Sequence, residues 1–139
     1  MFRTILFATD GSALAERVLL YVEHLARQER ARVIVLHAYD PLPQYRATER
    51  YQALADQLLA VAEEIVDDAV QQLRQAGVEA VPDVREGPAP TAILEAARAY
   101  DVNLIVMGTR GLRNVNEVIL GSVSHHVLRH APCPVLVVP

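Results

Sequence analysis

The chain has no lysine and no tryptophan, and its 139 residues include a single cysteine. One cysteine cannot form an internal disulfide, which argues against a disulfide-stabilised secreted scaffold. The longest apolar stretches fall well short of the roughly 20 residues of a membrane span. Met1-Phe2-Arg3 leads directly into an apolar segment rather than into a signal peptide. We therefore expect a cytoplasmic protein without a membrane segment.

Basic charge is also scarce. The thirteen basic residues, all arginines, are outnumbered by seventeen acidic ones, and the formal net charge is −4. A nucleic-acid partner is not expected, because a basic patch of the necessary size is not available. Hydrophobic residues make up 52% of the chain, enough for a substantial core. The length predicts a single domain over residues 1–139.

Two common nucleotide-binding motifs are missing. Without lysine there is no Gly-Lys-Ser/Thr phosphate loop, and so no lysine to contact the β and γ phosphates as in ATPases and kinases. The Gly-x-Gly-x-x-Gly fingerprint of dinucleotide-binding domains is absent too. These absences argue against rapid phosphoryl transfer and against a nicotinamide or flavin dinucleotide.

Five short apolar segments alternate with four segments of helical periodicity, which predicts an α/β fold with a parallel sheet and helices on both faces. If the strand order is 3-2-1-4-5, strands one and four are neighbours, and their following loops share one crevice. The predicted strands are Thr4–Ala8, Val33–Ala38, Glu79–Arg85, Val102–Val106 and Val135–Val138. Predicted helices begin after Ser12, run from about Thr48 to Gln75 and from about Pro90 to Tyr100, and begin again at Ser122. The second helix is expected to bury Leu54, Leu58, Val61, Ile65, Ala69 and Leu73.

A regularly spaced set of glycines follows the fourth predicted strand, in the pattern Gly108-x2-Gly111-x9-Gly121-Ser122. Glycine permits positive φ and lets the backbone approach a ligand closely. Ser122 is a residue type that caps helix N-termini, and a helix N-terminus beside a glycine loop suits a phosphate. Two ordinary turns around a strand are the alternative, but the second Gly-Ser favours a phosphate site.

With these motifs, the chain resembles the universal stress protein family, specifically its ATP-binding branch. The resemblance covers essentially the whole chain. It rests on Ile5-Leu6-Phe7-Ala8-Thr9-Asp10-Gly11-Ser12, on Leu36-His37-Ala38, on the glycine pattern, and on the C-terminal segment from Ala131 to Pro139. It implies a Rossmann-like nucleotide-binding fold with strand order 3-2-1-4-5, a homodimer, and ATP held by the glycine loop.

The resemblance also implies which residues surround the nucleotide. Asp10 would face the ribose or a magnesium ion bound to the phosphates, with Ala8 and Thr9 near the base. Ala38 would contact adenine through its backbone. The residues around the ribose and phosphates would be Met107, Gly108, Arg110, Gly111, Gly121, Ser122, Val123 and Ser124. The alternative for Asp10 is an Asx-turn, because Gly11 and Ser12 follow it.

Other reactive side chains give weaker signals. His126 and His130 lie four residues apart on a predicted helix, a spacing that can hold a metal, but no third ligand is evident. Cys133, between two prolines and before a strand, is expected to pack rather than to act as a nucleophile. His24 and His37 are expected to be ordinary half-buried histidines. No catalytic residue is predicted.

Three functions remain open. The first is an ATP-binding regulatory or stress-response dimer with slow or no hydrolysis. The second is a nucleotide-hydrolysing or nucleotidyl-transferring enzyme on the same fold, and the missing lysine argues against it. The third is a nucleotide-independent scaffold, which the glycine pattern disfavours. The C-terminal strand, apolar on both faces and placed at a sheet edge, predicts a homodimer joined through that strand.

Overall fold

The computed structural model describes residues 1–40, 50–109 and 120–139. The strands form one five-stranded sheet in the order β3-β2-β1-β4-β5, and every neighbouring pair is parallel. The predicted α/β fold and strand order are therefore confirmed. In chain order the elements are β1 (Thr4–Ala8), α1 (Ala13–Glu29), β2 (Arg32–Tyr39), α2 (Tyr51–Gln75), β3 (Glu79–Glu86), α3 (Ala89–Ala99), β4 (Leu104–Gly108), α4 (Ser122–His130) and β5 (Val135–Val138).

Helices cover both faces of the sheet. α1 and α2 pack on one face, against residues such as Ile5, Phe7 and Val106. α3 and α4 pack on the other, against Leu6 and Ile105 among others. Because side chains alternate along a strand, the continuous apolar runs of the central strands fill both cores.

The faces on which the helices pack also indicate where the sheet has a crevice. β1 is followed by α1 on one face, whereas its neighbour β4 is followed by α4 on the opposite face. The chain segments that leave these two strands therefore diverge. In open α/β sheets such a point creates a crevice at the carboxyl ends of the strands, where ligands bind.

Two predicted helix boundaries are confirmed by local hydrogen bonds and dihedral angles. The Ser12 hydroxyl accepts the N–H of Ala15 at 3.2 Å, so Ser12 caps α1. Gly77 follows the end of α2 with a φ of +83°, a conformation that glycine adopts without strain. The predicted start of α2 at Thr48 lies outside the described residues.

The predicted bounds of β4 are wrong by two residues. The Val102 N–H donates to Ala97 O at 3.1 Å, and the Asn103 N–H donates to Thr4 O at 2.8 Å. The first bond joins Val102 to the last turn of α3, and the second joins Asn103 to the residue that begins β1. The strand β4 begins at Leu104 and ends at Gly108. Met107 and Gly108 thus belong to the strand rather than to the loop after it.

The predicted apolar face of α2 is displaced around the helix. Val61 is 52% exposed, so its predicted burial is wrong. The most buried positions are Ala62, Val66, Ala69, Val70 and Leu73. The buried face of α2 is centred on these positions, and Val61 lies outside it. His24 is likewise exposed rather than half-buried. Within the described residues, no helix combines the length and apolarity needed to cross a bilayer.

Candidate functional site

The candidate site lies where β1 and β4 end. The two strands are hydrogen-bonded neighbours, with Phe7 opposite Val106. Strands in a sheet are about 4.8 Å apart, so the segments that follow Ala8 and Gly108 leave the sheet side by side. The structure therefore brings the predicted residues of the β1 end together with those of the β4 end.

The segment after β1 is fixed by its own hydrogen bonds. Thr9 is buried, its N–H donates to Leu36 O at 2.9 Å, and its Oγ1 accepts the Gly11 N–H at 3.2 Å. Asp10 Oδ1 accepts the Ser12 N–H at 2.9 Å. That last bond is the Asx-turn considered for Asp10. Because it uses Oδ1, the second carboxylate oxygen is the one that remains for a ligand.

The backbone conformation and the close contact with α2 both favour glycine at position 11. Its φ is +76°, which side-chain-bearing residues rarely adopt. A Cβ at this position would also lie 2.8 Å from Ile65 Cδ1 on α2. The turn after β1 is therefore held against α2 as well as by its own hydrogen bonds.

His37 connects β2 to the same turn. Its Nδ1 lies 2.7 Å from Thr9 O. A carbonyl oxygen only accepts hydrogen bonds, so Nδ1 must carry the proton and donate it. The bond fixes the peptide between Thr9 and Asp10. His37 is half-buried as predicted, but this role was not predicted from the sequence. The available signal was its position beside Ala38 at the carboxyl end of a strand.

Ser124 ties the start of α4 to the end of β4. Its side chain is almost fully buried, and its hydroxyl lies 2.7 Å from Gly108 O and 3.3 Å from Thr109 O. The Gly121 N–H also donates to Thr109 O at 2.6 Å. These bonds bring residues 109 and 121 together at the carboxyl end of the sheet. Arg110 and Gly111, which were predicted to contact the nucleotide, lie outside the described residues.

The N-terminus of α4 differs from the prediction in one respect. Gly121 is the N-cap and Ser122 is the first helical residue, so the prediction that Ser122 caps the helix is wrong. Gly121 has a φ of −62°, an ordinary value, so positive φ does not explain its glycine. The cap has no side-chain hydrogen bond within the described residues, and His125 is the first residue whose N–H bonds back to Gly121 O, at 3.0 Å. The N–H groups of residues 122–124 consequently have no partner in the helix.

Four of the predicted ligand-binding residues expose little of their side chains, so a ligand would contact mainly their backbone. Met107 is 4% exposed, with its side chain in the core between the sheet, α3 and α4. Val123 and Ala8 pack half-buried against the same core. Ala38 is half-buried near the carboxyl end of β2, paired with Arg85 of β3. This arrangement suits the expectation that Ala38 contacts a ligand through its backbone.

Cys133 packs as expected. The residue is half-buried against the core on the α3 and α4 face. Burial raises the pKa of its thiol, while a hydrogen bond with the Ile105 backbone opposes that rise. A raised pKa disfavours the nucleophilic thiolate.

The fold and the site define a doubly wound α/β protein whose strand order reverses between β1 and β4, beside the N-terminus of α4, which has no side-chain cap within the described residues. The family model described as the universal stress protein family matches residues 1–139. The chain belongs to the universal stress protein family.

Similar proteins agree with this assignment. A Thermus aquaticus protein described as a universal stress protein in the QAH/OAS sulfhydrylase 3' region is 39% identical, with 99% of each chain covered. The solved structure of hypothetical protein MJ0577 has a TM-score of 0.91 and 30% identity, covering 99% of this chain and 96% of its own. The universal stress protein from Archaeoglobus fulgidus, solved in complex with dAMP, has a TM-score of 0.70 and 26% identity, covering 99% and 98%.

Proposed function

We propose that this chain binds ATP in the crevice between β1 and β4 and acts as a nucleotide-dependent regulatory or stress-response dimer. The observation that carries the proposal is the position of the α4 N-terminus. The Ser124 hydroxyl holds it against Gly108 O, and the N–H groups of its first turn are free of helical partners. Such N–H groups, together with the positive end of the helix dipole, bind phosphate oxygens.

The other end of the ligand is assigned to the segments after β1 and near the end of β2. Asp10 is half-buried, with one carboxylate oxygen accepting from Ser12. Its other oxygen suits a ribose hydroxyl, and the backbone of Ala38 suits adenine. The Archaeoglobus fulgidus relative in complex with dAMP supports an adenine nucleotide as the ligand class.

Magnesium follows from the charge at the site. A carboxylate near a polyphosphate is repelled unless a cation lies between them, and Mg²⁺ is usually held by one or two carboxylates together with phosphate oxygens. If Asp10 faces the phosphates rather than the ribose, it therefore does so through Mg²⁺. The half-exposed position of Asp10 at the carboxyl end of β1 fits this role.

Slow turnover is part of the proposal. With no lysine in the chain, the cation that ordinarily contacts the β and γ phosphates in P-loop enzymes is absent. We expect phosphate release well below the typical enzyme rate of about 10 per second. A rate in the ordinary enzyme range, lost in a variant of the α4 N-terminus, would favour the alternative of a hydrolase or nucleotidyl transferase.

Gly121→Val tests the binding site. The φ of −62° at Gly121 is open to any residue, so the valine backbone is tolerated while its branched side chain occupies the approach to the α4 amides. We expect calorimetric titration to show ATP binding in the unmutated chain and none in this variant. Ala99→Val, which adds the same side chain at an exposed position at the far end of α3, is the matched control. A folded Gly121→Val protein with normal ATP affinity would contradict the assignment of the phosphate site to the N-terminus of α4.

The dimer is assigned to β5. Among the described residues, this strand lies at the edge of the sheet with β4 as its neighbour, and it is formed by four apolar residues. Such an edge exposes unpaired backbone groups, and pairing with the same strand of a second copy around a two-fold axis covers them.

Val137→Lys and Val81→Lys form a matched pair for the dimer. Both valines are half-buried against the same core, but Val137 lies on the β5 edge and Val81 on the β3 edge. Light scattering should give a dimer for the unmutated chain and for Val81→Lys, and a lower mass or aggregation for Val137→Lys. A monomeric unmutated chain at micromolar concentration would rule out this interface.

A further inference from the structure

The last turn of α4 carries two exposed histidines that the nucleotide site does not use. His126 and His130 are four residues apart and therefore lie on one side of the helix. Their rings are stacked, with centroids 4.4 Å apart and an interplanar angle of 28°. The two rings are thus already side by side at the surface, at the opposite end of α4 from the proposed phosphate site.

A hydrogen bond determines which nitrogen of His130 is available. His130 Nδ1 lies 2.9 Å from His126 O, and because the carbonyl can only accept, Nδ1 carries the proton. The neutral ring then has its lone pair on Nε2. Metal-bound histidines almost always have this arrangement, with one nitrogen on the metal and the other donating to a carbonyl or carboxylate. The structure therefore orients His130 as a metal ligand would be oriented.

We propose that His126 and His130 together bind one divalent transition-metal ion. The metal–nitrogen distance of about 2.0–2.1 Å allows one ion to join two nitrogens up to about 4 Å apart. A ring-nitrogen lone pair lies in the plane of its ring, so the His126 ring must turn out of the stacked arrangement for both lone pairs to point at one ion. His130 is also the last residue of α4, where the negative end of the helix dipole favours a cation.

The chemistry of the pair defines the class of metal. Imidazole nitrogen suits Ni²⁺, Cu²⁺ and Zn²⁺, whereas Mg²⁺ and Ca²⁺ prefer oxygen ligands. The site is therefore distinct from any Mg²⁺ that accompanies the nucleotide near Asp10. Within residues 1–40, 50–109 and 120–139, no cluster of three or more metal-ligating side chains is present, so the pair is a two-ligand site completed by water.

Ni²⁺ titration of the full chain tests the site, because Ni²⁺ binds nitrogen and does not oxidise thiols as Cu²⁺ does. All proteins carry Cys133→Ser, so that the thiol three residues after His130 cannot supply a ligand. We expect one Ni²⁺ per chain by calorimetry. Each of His126→Ala and His130→Ala should weaken binding at least about tenfold, since even the loss of a partner to a ligand costs about 10–100-fold.

His125→Ala is the matched control. His125 is exposed on the same helix, but successive helical residues point about 100° apart, so it lies on a different side from the pair. The Ni²⁺ affinity of His125→Ala should equal that of the Cys133→Ser parent, and a tenfold excess of Mg²⁺ should not displace Ni²⁺ from the parent. The proposal is overturned if the parent binds no Ni²⁺, if either variant of the pair binds normally, if His125→Ala is equally impaired, or if Mg²⁺ competes.

Discussion

The two ends of the sheet differ in how their backbone groups are satisfied. At the amino end, Asn103 Oδ1 accepts the N–H groups of Arg3 at 3.0 Å and Thr4 at 2.9 Å. The Asn103 N–H donates to Thr4 O, and the Glu29 carboxylate accepts the Phe2 N–H at 3.3 Å. At this end, side-chain oxygens accept backbone N–H groups at the start of the chain and of β1.

At the carboxyl end, the side chains of Thr9, Asp10 and Ser12 accept backbone N–H groups in the same way after β1, but the start of α4 differs. Ser124 binds carbonyl groups of β4, but the first-turn N–H groups of α4 have no side-chain cap within the described residues. Unpaired donors are costly to bury, so N–H groups without a side-chain cap bond to water, to other backbone groups or to a ligand. Side chains of the protein therefore close the amino end, whereas the start of α4 has backbone donors that the proposed nucleotide site would use.

The largest effect is expected at the carboxyl end, at Asp10. Asp10→Ala should weaken ATP binding about 10–100-fold, because a hydrogen bond to a charged group contributes about 1.5–3 kcal/mol. Asp10→Asn can retain the oxygen that accepts from Ser12, but it removes the charge and replaces the second oxygen with an NH₂ group. It should therefore keep the turn. If Asp10 acts through Mg²⁺, the variant should lose the dependence of affinity on Mg²⁺, as measured by calorimetry with MgCl₂ and with EDTA. If Asp10 binds the ribose, that dependence should remain. If Asp10→Asn and Asp10→Ala both bind ATP normally, Asp10 serves only the Asx-turn.

The next effect is expected at Ser124, which is structural and close to the ligand. Ser124→Ala leaves the O atom of half-buried Gly108 without this donor and should lower the free energy of unfolding by about 1–3 kcal/mol. ATP affinity should fall as well, because the α4 N-terminus is no longer held at the end of β4. Ser122→Ala, at the exposed first position of α4, should change stability by no more than about 0.5 kcal/mol. Equal urea denaturation midpoints for these two variants would contradict the role assigned to Ser124.

A smaller effect, on stability alone, is expected at the amino end. Asn103→Ala removes the acceptor for two exposed N–H groups that water can partly replace, so the loss should be about 1 kcal/mol. Asn103→Asp keeps the oxygen and should be close to the unmutated chain in thermal unfolding. ATP affinity should be unchanged in both. A fall in affinity for Asn103→Ala would show that the two ends are coupled.

The smallest effect is the pH dependence of Glu29. The amino group of Met1 and the N–H of Phe2 hold the pKa of its carboxyl below the usual range. A lowered pKa in the folded state adds stability that is fully present above the unfolded pKa, about 4.3, and is lost as pH falls through the folded value. The difference in stability between the unmutated chain and Glu29→Gln should therefore shrink below about pH 4.3. A difference that stays constant across this range would show that the pair contributes nothing.

Much of this arrangement could be predicted from the sequence. Local signals in the sequence predict three strands and one helix cap, and the structure confirms them. The strands are β1, β2 and β5, and the cap is Ser12. The site residues were predicted from a resemblance, and the structure brings the β1 and β4 groups to one edge of the sheet. Their contacts with ATP stay predictions.

What the sequence determined by itself is therefore the alternation of strands and helices, the two apolar cores and the position of the glycine pattern, because propensity and periodicity are properties of neighbouring residues. Tertiary structure decided the rest. The first residue of β4 depends on bonds from Asn103 to Thr4, and the solvent exposure of Val61 on which face of α2 packs against the sheet. The bonds from His37 to Thr9 and from Ser124 to Gly108 join residues that are 28 and 16 positions apart. A hydrogen bond between separate elements forms only when packing has set the distance and angle between them, and no local pattern in the sequence encodes that geometry.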